Sequence, residues 1–465
     1  MPSNCNNNLF LIFYYLLIFK IRNIYKSFNY NIFMRRDIVH IGADQLSYEI
    51  RGIVNIAEKI EYFGQEIFWE NVGDPINKGQ KIPNWIKDIV KSKVDEDYSW
   101  GYSPTKGLLE TRNFLADRVN SKAGTKITAE DILFFNGLGD AISKVYGQLK
   151  KESRIIGPSP AYPTHSSAEG GHSGYEPVTY KLDPHNNWLP DLDDIRNKVK
   201  YNDTIVGILI INPDNPTGMV YPKNILREIV NIAKEYNLFI ISDEIYGDLT
   251  YNGRKAISMS ELIDNLPTII MKGISKELPW PGSRCGWIEV YNKNIDKNFS
   301  KYIKSILDAK MLEVCSTTLP QATIPDLLSS PKYKIFLSER TREVEKRANY
   351  LYENLKNIKG ILINKTYGAF YYSIVFEEGV LKEDQILNIK NKKIKELIEK
   401  EVKNSSLDKR FVYYLLGSTG ICVVPLTSFS SELKGFRMTL LEQDFDKFKW
   451  IVETLKNSIQ EYLKE

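Results

Sequence analysis

Three short segments, each placed just after an apolar run, carry residue types from which a catalytic site can be built. Lys276 closes Gly273-Ile274-Ser275-Lys276, and eight residues on stands Arg284 in Arg284-Cys285-Gly286-Trp287. A lysine set among small residues and followed by the turn Pro281-Gly282-Ser283-Arg284 reads as a positioned amine beside an anion site. Desolvation or a neighbouring cation lowers a lysine pKa and makes the amine a nucleophile, and the planar arginine fork suits a phosphate. A lysine after a strand, taken alone, is more often plain surface. Asp243 lies in Ser242-Asp243-Glu244-Ile245-Tyr246. A carboxylate at the end of a buried strand needs a cation or a proton-bearing nitrogen, although an aspartate there also reads as a helix cap. The third segment is Asn212-Pro213-Asp214-Asn215-Pro216-Thr217-Gly218. Its two Asn-Pro steps make a rigid turn able to present the Asn215 amide, and equally an ordinary loop.

The runs ahead of these segments are the elements that must position them. Asp131–Asn136, Arg154–Gly157, Thr204–Ile211, Leu238–Ser242, Thr268–Met271 and Trp287–Tyr291 read as strands. Two of them, TIVGILII and LFIIS, are apolar almost throughout, as expected of parallel strands covered on both faces. Between these two, Leu226, Ile229, Val230 and Ala233 form the stripe of an amphipathic crossover helix. Alternation of strand and helix predicts an α/β fold, a mostly parallel sheet with helices on both sides. Ligands of such sheets bind at the carboxyl ends of the strands, where the three segments lie. Beyond residue 330 the pattern changes. Val344, Ala348, Leu351 and Leu355 mark a long helix, Ile361–Ile363 and Gly368–Val375 two strands, and Phe448, Ile451, Val452, Leu455 and Ile459 a last helix. This part reads as a smaller α+β domain, with the lysine- and glutamate-rich stretch 382–410 expected to be a solvated insertion.

Composition narrows the function. The 465 residues are 43% hydrophobic and 26% charged, which excludes a disordered, collagen-like or multi-span membrane chain. A net charge of +4, spread along the chain, gives no nucleic-acid footprint. The four cysteines (Cys5, Cys285, Cys315, Cys422) are too scattered for a disulfide framework or a paired zinc site, and the four histidines make no metal site. That usage suits a reducing, cytoplasmic setting.

The set NPDNPTG, SDEIY, SK and RCGW, in that order and spacing, resembles the class I/II aminotransferases, fold-type I enzymes that use pyridoxal 5′-phosphate. Tyr102-Ser103-Pro104-Thr105-Lys106-Gly107 and Phe436-Arg437-Met438 are similar to two further segments of that family, and the resemblance spans residues 45–465 apart from the charged stretch. It implies that Lys276 bonds covalently to the cofactor and then shuttles the substrate proton, and that Asp243 pairs with the pyridine nitrogen. Tyr246 and Asn215 would meet the ring oxygen and Tyr162 would stack on the ring. Gly137, Leu138 and Gly139 would offer backbone amides to the phosphate at a helix amino terminus, with Ser275 and Arg284 completing the phosphate site. Arg437 would grip the substrate α-carboxylate, with Gly73 and Asn215 beside it. Tyr102 would reach the phosphate of a neighbouring subunit, which implies a homodimer with shared sites. The substrates implied are an L-amino acid, taken as neutral or aromatic, and a 2-oxo acid such as 2-oxoglutarate. A carbon–sulfur β-lyase or cyclopropane-forming synthase on the same scaffold would keep all these residues. A non-catalytic cofactor-binding module would need a DNA-binding segment that residues 1–60 are too short and too apolar to supply.

The domain boundaries expected are a leader at 1–33, a segment 34–85 joining the small domain, a large cofactor-binding domain at 86–325 and a small domain at 326–465. The run Leu9–Phe19 is short for a membrane span of about 20 residues and lacks the flanks of a secretory signal. It is read as dispensable sequence ahead of a start at Met34, in preference to a membrane anchor.

Overall fold

The computed structural model describes residues 38–46 and 50–464; the apolar run at 9–19 falls outside them. In chain order the strands are β1 (Phe68–Trp69), β2 (Ile132–Phe135), β3 (Arg154–Ser159), β4 (Thr179–Asp183), β5 (Leu189–Pro190), β6 (Ile205–Ile211), β7 (Phe239–Asp243), β8 (Thr268–Gly273), β9 (Gly286–Tyr291), β10 (Ile361–Ile363), β11 (Tyr371–Phe376), β12 (Ile421–Cys422), β13 (Val424–Pro425) and β14 (Gly435–Thr439). Eight of them form one sheet in the order β2-β9-β8-β7-β6-β3-β4-β5. Within it β9 runs antiparallel to β2 and β8, β5 runs antiparallel to β4, and the remaining neighbours are parallel. This is the mostly parallel sheet expected from the apolar runs.

Alternate residues of those runs supply two separate cores. Ile208, Ile210, Ile240 and Ile270 pack on one face of the sheet, and Leu209, Ile211, Ile241 and Ile269 on the other. Both faces are therefore dry, which is why β6 and β7 show no polar alternation. The crossover helix spans Lys223–Glu235 and buries Leu226, Ile229, Val230 and Ala233, with Ile232 added. Strands β4 and β5 were not anticipated. In β4, Tyr180 and Leu182 are buried around an exposed Lys181, an alternation too short to stand out from TYKLD.

A second sheet, β10-β11-β14-β13, is antiparallel throughout. It shares a third core with the helices Pro331–Leu355 and Phe445–Tyr462. Helix Ile50–Tyr62 adds Ile53, Ile56, Ala57 and Ile60 to that core, and β1 pairs in parallel with β12.

The stretch 382–410 is not a solvated insertion. Asn391 caps a helix, Lys392–Glu401, whose Ile394 and Ile398 are fully buried one turn apart, followed by buried Val402. They press on helix Leu407–Thr419 so closely that a Cβ on Gly417 would come within 2.7 Å of Ile398 and 2.8 Å of Ile389. Lysine and glutamate dominate the composition but occupy the outer face, and the apolar stripe beneath them does the packing. Among the described residues no helix is long and apolar enough to cross a membrane, and no cluster of metal-ligating side chains occurs.

Candidate active site

Strands β6, β7 and β8 are adjacent and parallel, so their carboxyl ends deliver the three chemical segments to one edge of the sheet. Asp243 is the last residue of β7 and is buried. Its Oδ1 accepts from the amide of Ile245 at 3.1 Å, and Oδ2 lies 3.0 Å from Nε2 of His165. His165 sits in the helix Pro163–Ser173, and its Nδ1 is 3.4 Å from the Tyr146 hydroxyl. Burial holds the Tyr146 phenol well above its ordinary pKa, so the phenol keeps its proton. A carboxylate only accepts, so Nε2–H donates to Asp243, and in the neutral imidazole that leaves Nδ1 to accept from the Tyr146 hydroxyl. No helix follows Asp243, so it anchors a turn instead of capping a helix.

Lys276 lies half-buried just beyond β8. Its Nζ donates to the carbonyl of Gly73 at 3.2 Å and stands 5.8 Å from the Phe370 ring centroid. Tyr246, buried, crosses the Phe370 ring edge-on at 5.3 Å, and its hydroxyl is 3.3 Å from that of Tyr371. Burial, and next the neighbouring Tyr371, hold the Tyr246 phenol well above its ordinary pKa. Tyr162, which precedes the helix carrying His165, meets that imidazole edge-on at 6.4 Å.

After β2 the chain turns at Gly137, φ +84°, into the helix Leu138–Gly147. No side chain caps that amino terminus, which leaves its first amides available to an anion. The Arg284 guanidinium lies over the turn: a Cβ on Gly137 would come within 2.5 Å of Nη2. Nη2 also donates to the carbonyl of Asn136 at 3.3 Å. Gly137 is buried, Leu138 half-buried and Gly139 exposed, while Ser275 is half-buried between β8 and Lys276.

Arg437, on β14, is buried opposite these groups. It donates to Asn215 Oδ1 at 3.3 Å and to the carbonyl of Asn71, and its guanidinium packs over the Tyr371 ring at 4.4 Å and the Phe429 ring at 4.9 Å. Asn71 is buried with neither side-chain polar atom partnered among the described residues, a cost that a bound polar ligand would remove. Gly73 admits no side chain, because a Cβ there would collide with the Tyr371 hydroxyl. One expected residue is not drawn in: Tyr102 is 86% exposed on the surface of this chain. Four others reach the site without having been anticipated, namely His165, Phe370, Tyr371 and Asn71. A usable signal for the two aromatics is Gly368, just ahead of β11, where a Cβ would meet Val220 and Pro213 at 2.6 and 2.7 Å. A glycine entering a strand marks such a close approach.

Asp214 sits inside the turn after β6, fully buried. Its Oδ2 accepts from the Thr217 amide at 3.1 Å and hydroxyl at 2.5 Å, while Oδ1 has no partner among the described residues. Burial outweighs those bonds and pushes the carboxyl up to about 7 from an ordinary 3.8. The native state thus holds a proton that the unfolded chain releases, and stability falls as pH rises from about 4 to about 7, then levels. Asp214→Asn, which cannot ionise, is expected to remove that slope. Urea midpoints of the two proteins at pH 5 and pH 7.5 measure it, and equal pH dependence in both would refute the assignment.

Known proteins share both sequence and fold with this chain. The family model for aminotransferase class I and II matches residues 70–444. A Methanocaldococcus jannaschii protein named as an uncharacterized aminotransferase is 59% identical over 431 residues, 93% of this chain and 100% of its own. Glutamate-pyruvate aminotransferase AlaA of Escherichia coli K12 is 32% identical over 332 residues, 70% of this chain and 80% of its own. Among solved structures, an alanine aminotransferase from Pyrococcus furiosus superposes with a TM-score of 0.78 at 28% identity, over 92% of this chain and 99% of that one. With the family motifs at the ends of three neighbouring strands and its model matched over most of the sequence, the chain belongs to the class I and II aminotransferases.

Proposed function

We propose that this aminotransferase uses pyridoxal 5′-phosphate to move an amino group between a small neutral L-amino acid, alanine first, and 2-oxoglutarate. The observation that carries the reading is a contiguous set of contacts, Lys276 to Phe370, Phe370 to Tyr246 and Tyr371, and Tyr371 to Arg437, with the histidine-backed Asp243 bonded to the amide beside Tyr246. The uncapped helix terminus beside Arg284 and the unpartnered Asn71 fit a phosphate at one end of that set and a polar substrate at the other. Alanine is favoured over an aromatic donor by the names of the relatives.

The residues divide the work. When bound, the cofactor draws off the electron pair released as the substrate Cα–H bond breaks. Lys276 supplies the amine that binds the cofactor and afterwards takes and returns the proton at Cα. Asp243, fixed by His165, would hold a proton on the ring nitrogen. Tyr246 and Asn215 would donate to the ring oxygen, and Tyr162 would cover the ring face. The amides of Gly137, Leu138 and Gly139, with Ser275 and Arg284, hold the phosphate. Arg437 takes the α-carboxylate through a bidentate pair, with Gly73 leaving room beside it.

The same reading makes the protein a homodimer in which the partner subunit's Tyr102 completes the phosphate site. It is supported by the exposed aromatic pair Trp100 and Tyr102, on a segment tied to 316–318 by bonds from Thr318 and Ser103. Three free thiols, Cys285, Cys315 and Cys422, support a cytoplasmic setting.

The test is an absorbance titration of the purified, cofactor-loaded protein with single amino acids. L-Alanine and L-glutamate are expected to bleach the visible band, and pyruvate or 2-oxoglutarate to restore it. Bleaching by aromatic amino acids alone would overturn the substrate assignment. Ammonia release without an acceptor would assign lyase chemistry instead.

A further inference from the structure

Arg340 is the one residue of helix Pro331–Leu355 found to reach the catalytic lysine's own backbone. It is 6% exposed, and its guanidinium makes no ion pair among the described residues. Nη1 donates to the carbonyl oxygen of Lys276 and to that of Glu277 at 3.0 Å, and Nε donates to Gln80 Oε1 at 3.3 Å. Nη2 has no partner among the described residues. The Glu277 carboxylate, the nearest candidate for a counter-charge, turns instead to the amide of Asp248 at 2.7 Å and the hydroxyl of Tyr333 at 3.2 Å.

A buried guanidinium satisfied by carbonyls alone is a costly way to join two elements, since a neutral donor would cross-link them without the desolvation of a charge. Burial lowers the Arg340 pKa to about 10, which leaves it charged at neutral pH. Its location gives it a role a neutral donor would not fill. The guanidinium carbon and the Lys276 amine lie 5.9 and 5.8 Å from the centroid of the same Phe370 ring. Gln80 and Gly73 belong to the same chain segment, so Arg340 holds the lysine peptide from one side while the lysine amine touches that segment from the other.

We propose that Arg340 is a positioning residue of the amino transfer: by clamping the Lys276–Glu277 peptide to the 73–80 segment it fixes where the Lys276 amine stands. The inference rests on the role assigned to Lys276 above. Arginine suits the task because one rigid fork reaches two successive carbonyls and the glutamine together, whereas a lysine is a single flexible donor.

The test compares Arg340→Gln, Arg340→Lys and Arg340→Ala with the parent protein. Arg340→Ala is expected to lose 10- to 100-fold in kcat with KM for the amino donor changed less than about threefold, because the amine is misplaced while Arg437 still binds substrate. Millimolar guanidinium chloride is expected to restore part of that loss, and Arg340→Lys to recover little. In the cofactor-free proteins, amide hydrogen exchange of residues 274–279 is expected to accelerate in Arg340→Ala while the large-sheet strands stay protected. Should Arg340→Ala not fold, Arg340→Gln, which keeps one donor and most of the volume, carries the same comparison. A kcat within twofold of the parent overturns the proposal. So does acceleration of exchange across the whole chain with no rescue by guanidinium, which would mark Arg340 as a stabilising tie only. Failure of the transaminase reading would show in the parent protein before any variant is made, so the two outcomes are distinct.

Discussion

Lys276→Ala is expected to fold, to lose the visible absorption of the lysine-bound cofactor, and to turn over substrate at least 10⁴-fold more slowly than the parent. The argument begins with what the side chain touches. Its amine has one hydrogen bond, to the Gly73 carbonyl at 3.2 Å, and is half-buried. Truncation therefore removes no large apolar contact, and the expected loss of stability is within about 1 kcal/mol. Chemistry is affected far more. The amine stands between the Gly73 carbonyl and the Phe370 ring, where the proposed function has it act on substrate. On the proposed function this amine would be both base and covalent anchor, and among the described residues beside it Tyr246 keeps its proton while Asp243 is held by His165 and the Ile245 amide. Roughly 1.4 kcal/mol accompanies each tenfold in rate, so the expected loss corresponds to about 5.5 kcal/mol of transition-state stabilisation. Single-turnover kinetics with L-alanine measure it. Turnover at the parent rate would mean that the reacting amine is elsewhere.

What the sequence made legible, and what it hid, follows from how each residue reaches the cleft. Asp243, Lys276 and Asn215 stand within a few residues of apolar strands, so their placement follows from strand identity and the rule for open parallel sheets. Tyr371 and Arg437 come from the second sheet, across a junction where Gly218 and Gly368 allow the two backbones to meet. Arg437 was legible only through a family resemblance, and for Tyr371 the one local signal in GAFYYSIVF is Gly368, which marks a close approach without saying which of the following aromatics faces the site. His165 lies on a helix with no apolar stripe to announce it, and its value comes from a partner 78 positions away. The same limit applies to the fold. β6 and the helix Lys223–Glu235 were visible because their periodicity is unbroken, whereas Ile394, Ile398 and Val402 are three residues under a cover of charge. Packing decided that stretch where composition pointed the other way.

Asp243→Asn is expected to cost at least 10³-fold in kcat, about 4 kcal/mol, with only a modest change in substrate KM. Asparagine keeps the size, and its amide oxygen can still accept from the Ile245 amide or from His165, so the turn after β7 survives the change. What it cannot do is carry the negative charge that keeps a proton on a ring nitrogen. His165 makes the point sharper. His165 Nε2 lies 3.0 Å from Oδ2 and the Ile245 amide donates to Oδ1, so the carboxylate is fixed at the end of β7. A neutral amide in its place would not hold a proton on the ring nitrogen of a bound cofactor, which would then draw off the electron pair from Cα less well. The readouts are kcat for L-alanine with 2-oxoglutarate and the absorption maximum of the loaded protein, which is expected to shift as the ring nitrogen loses its proton. Urea midpoints for the two proteins guard against a trivial loss of fold. A decrease smaller than tenfold, with an unchanged spectrum, would reduce Asp243 to the anchor of a turn and would require another residue to bear the charge.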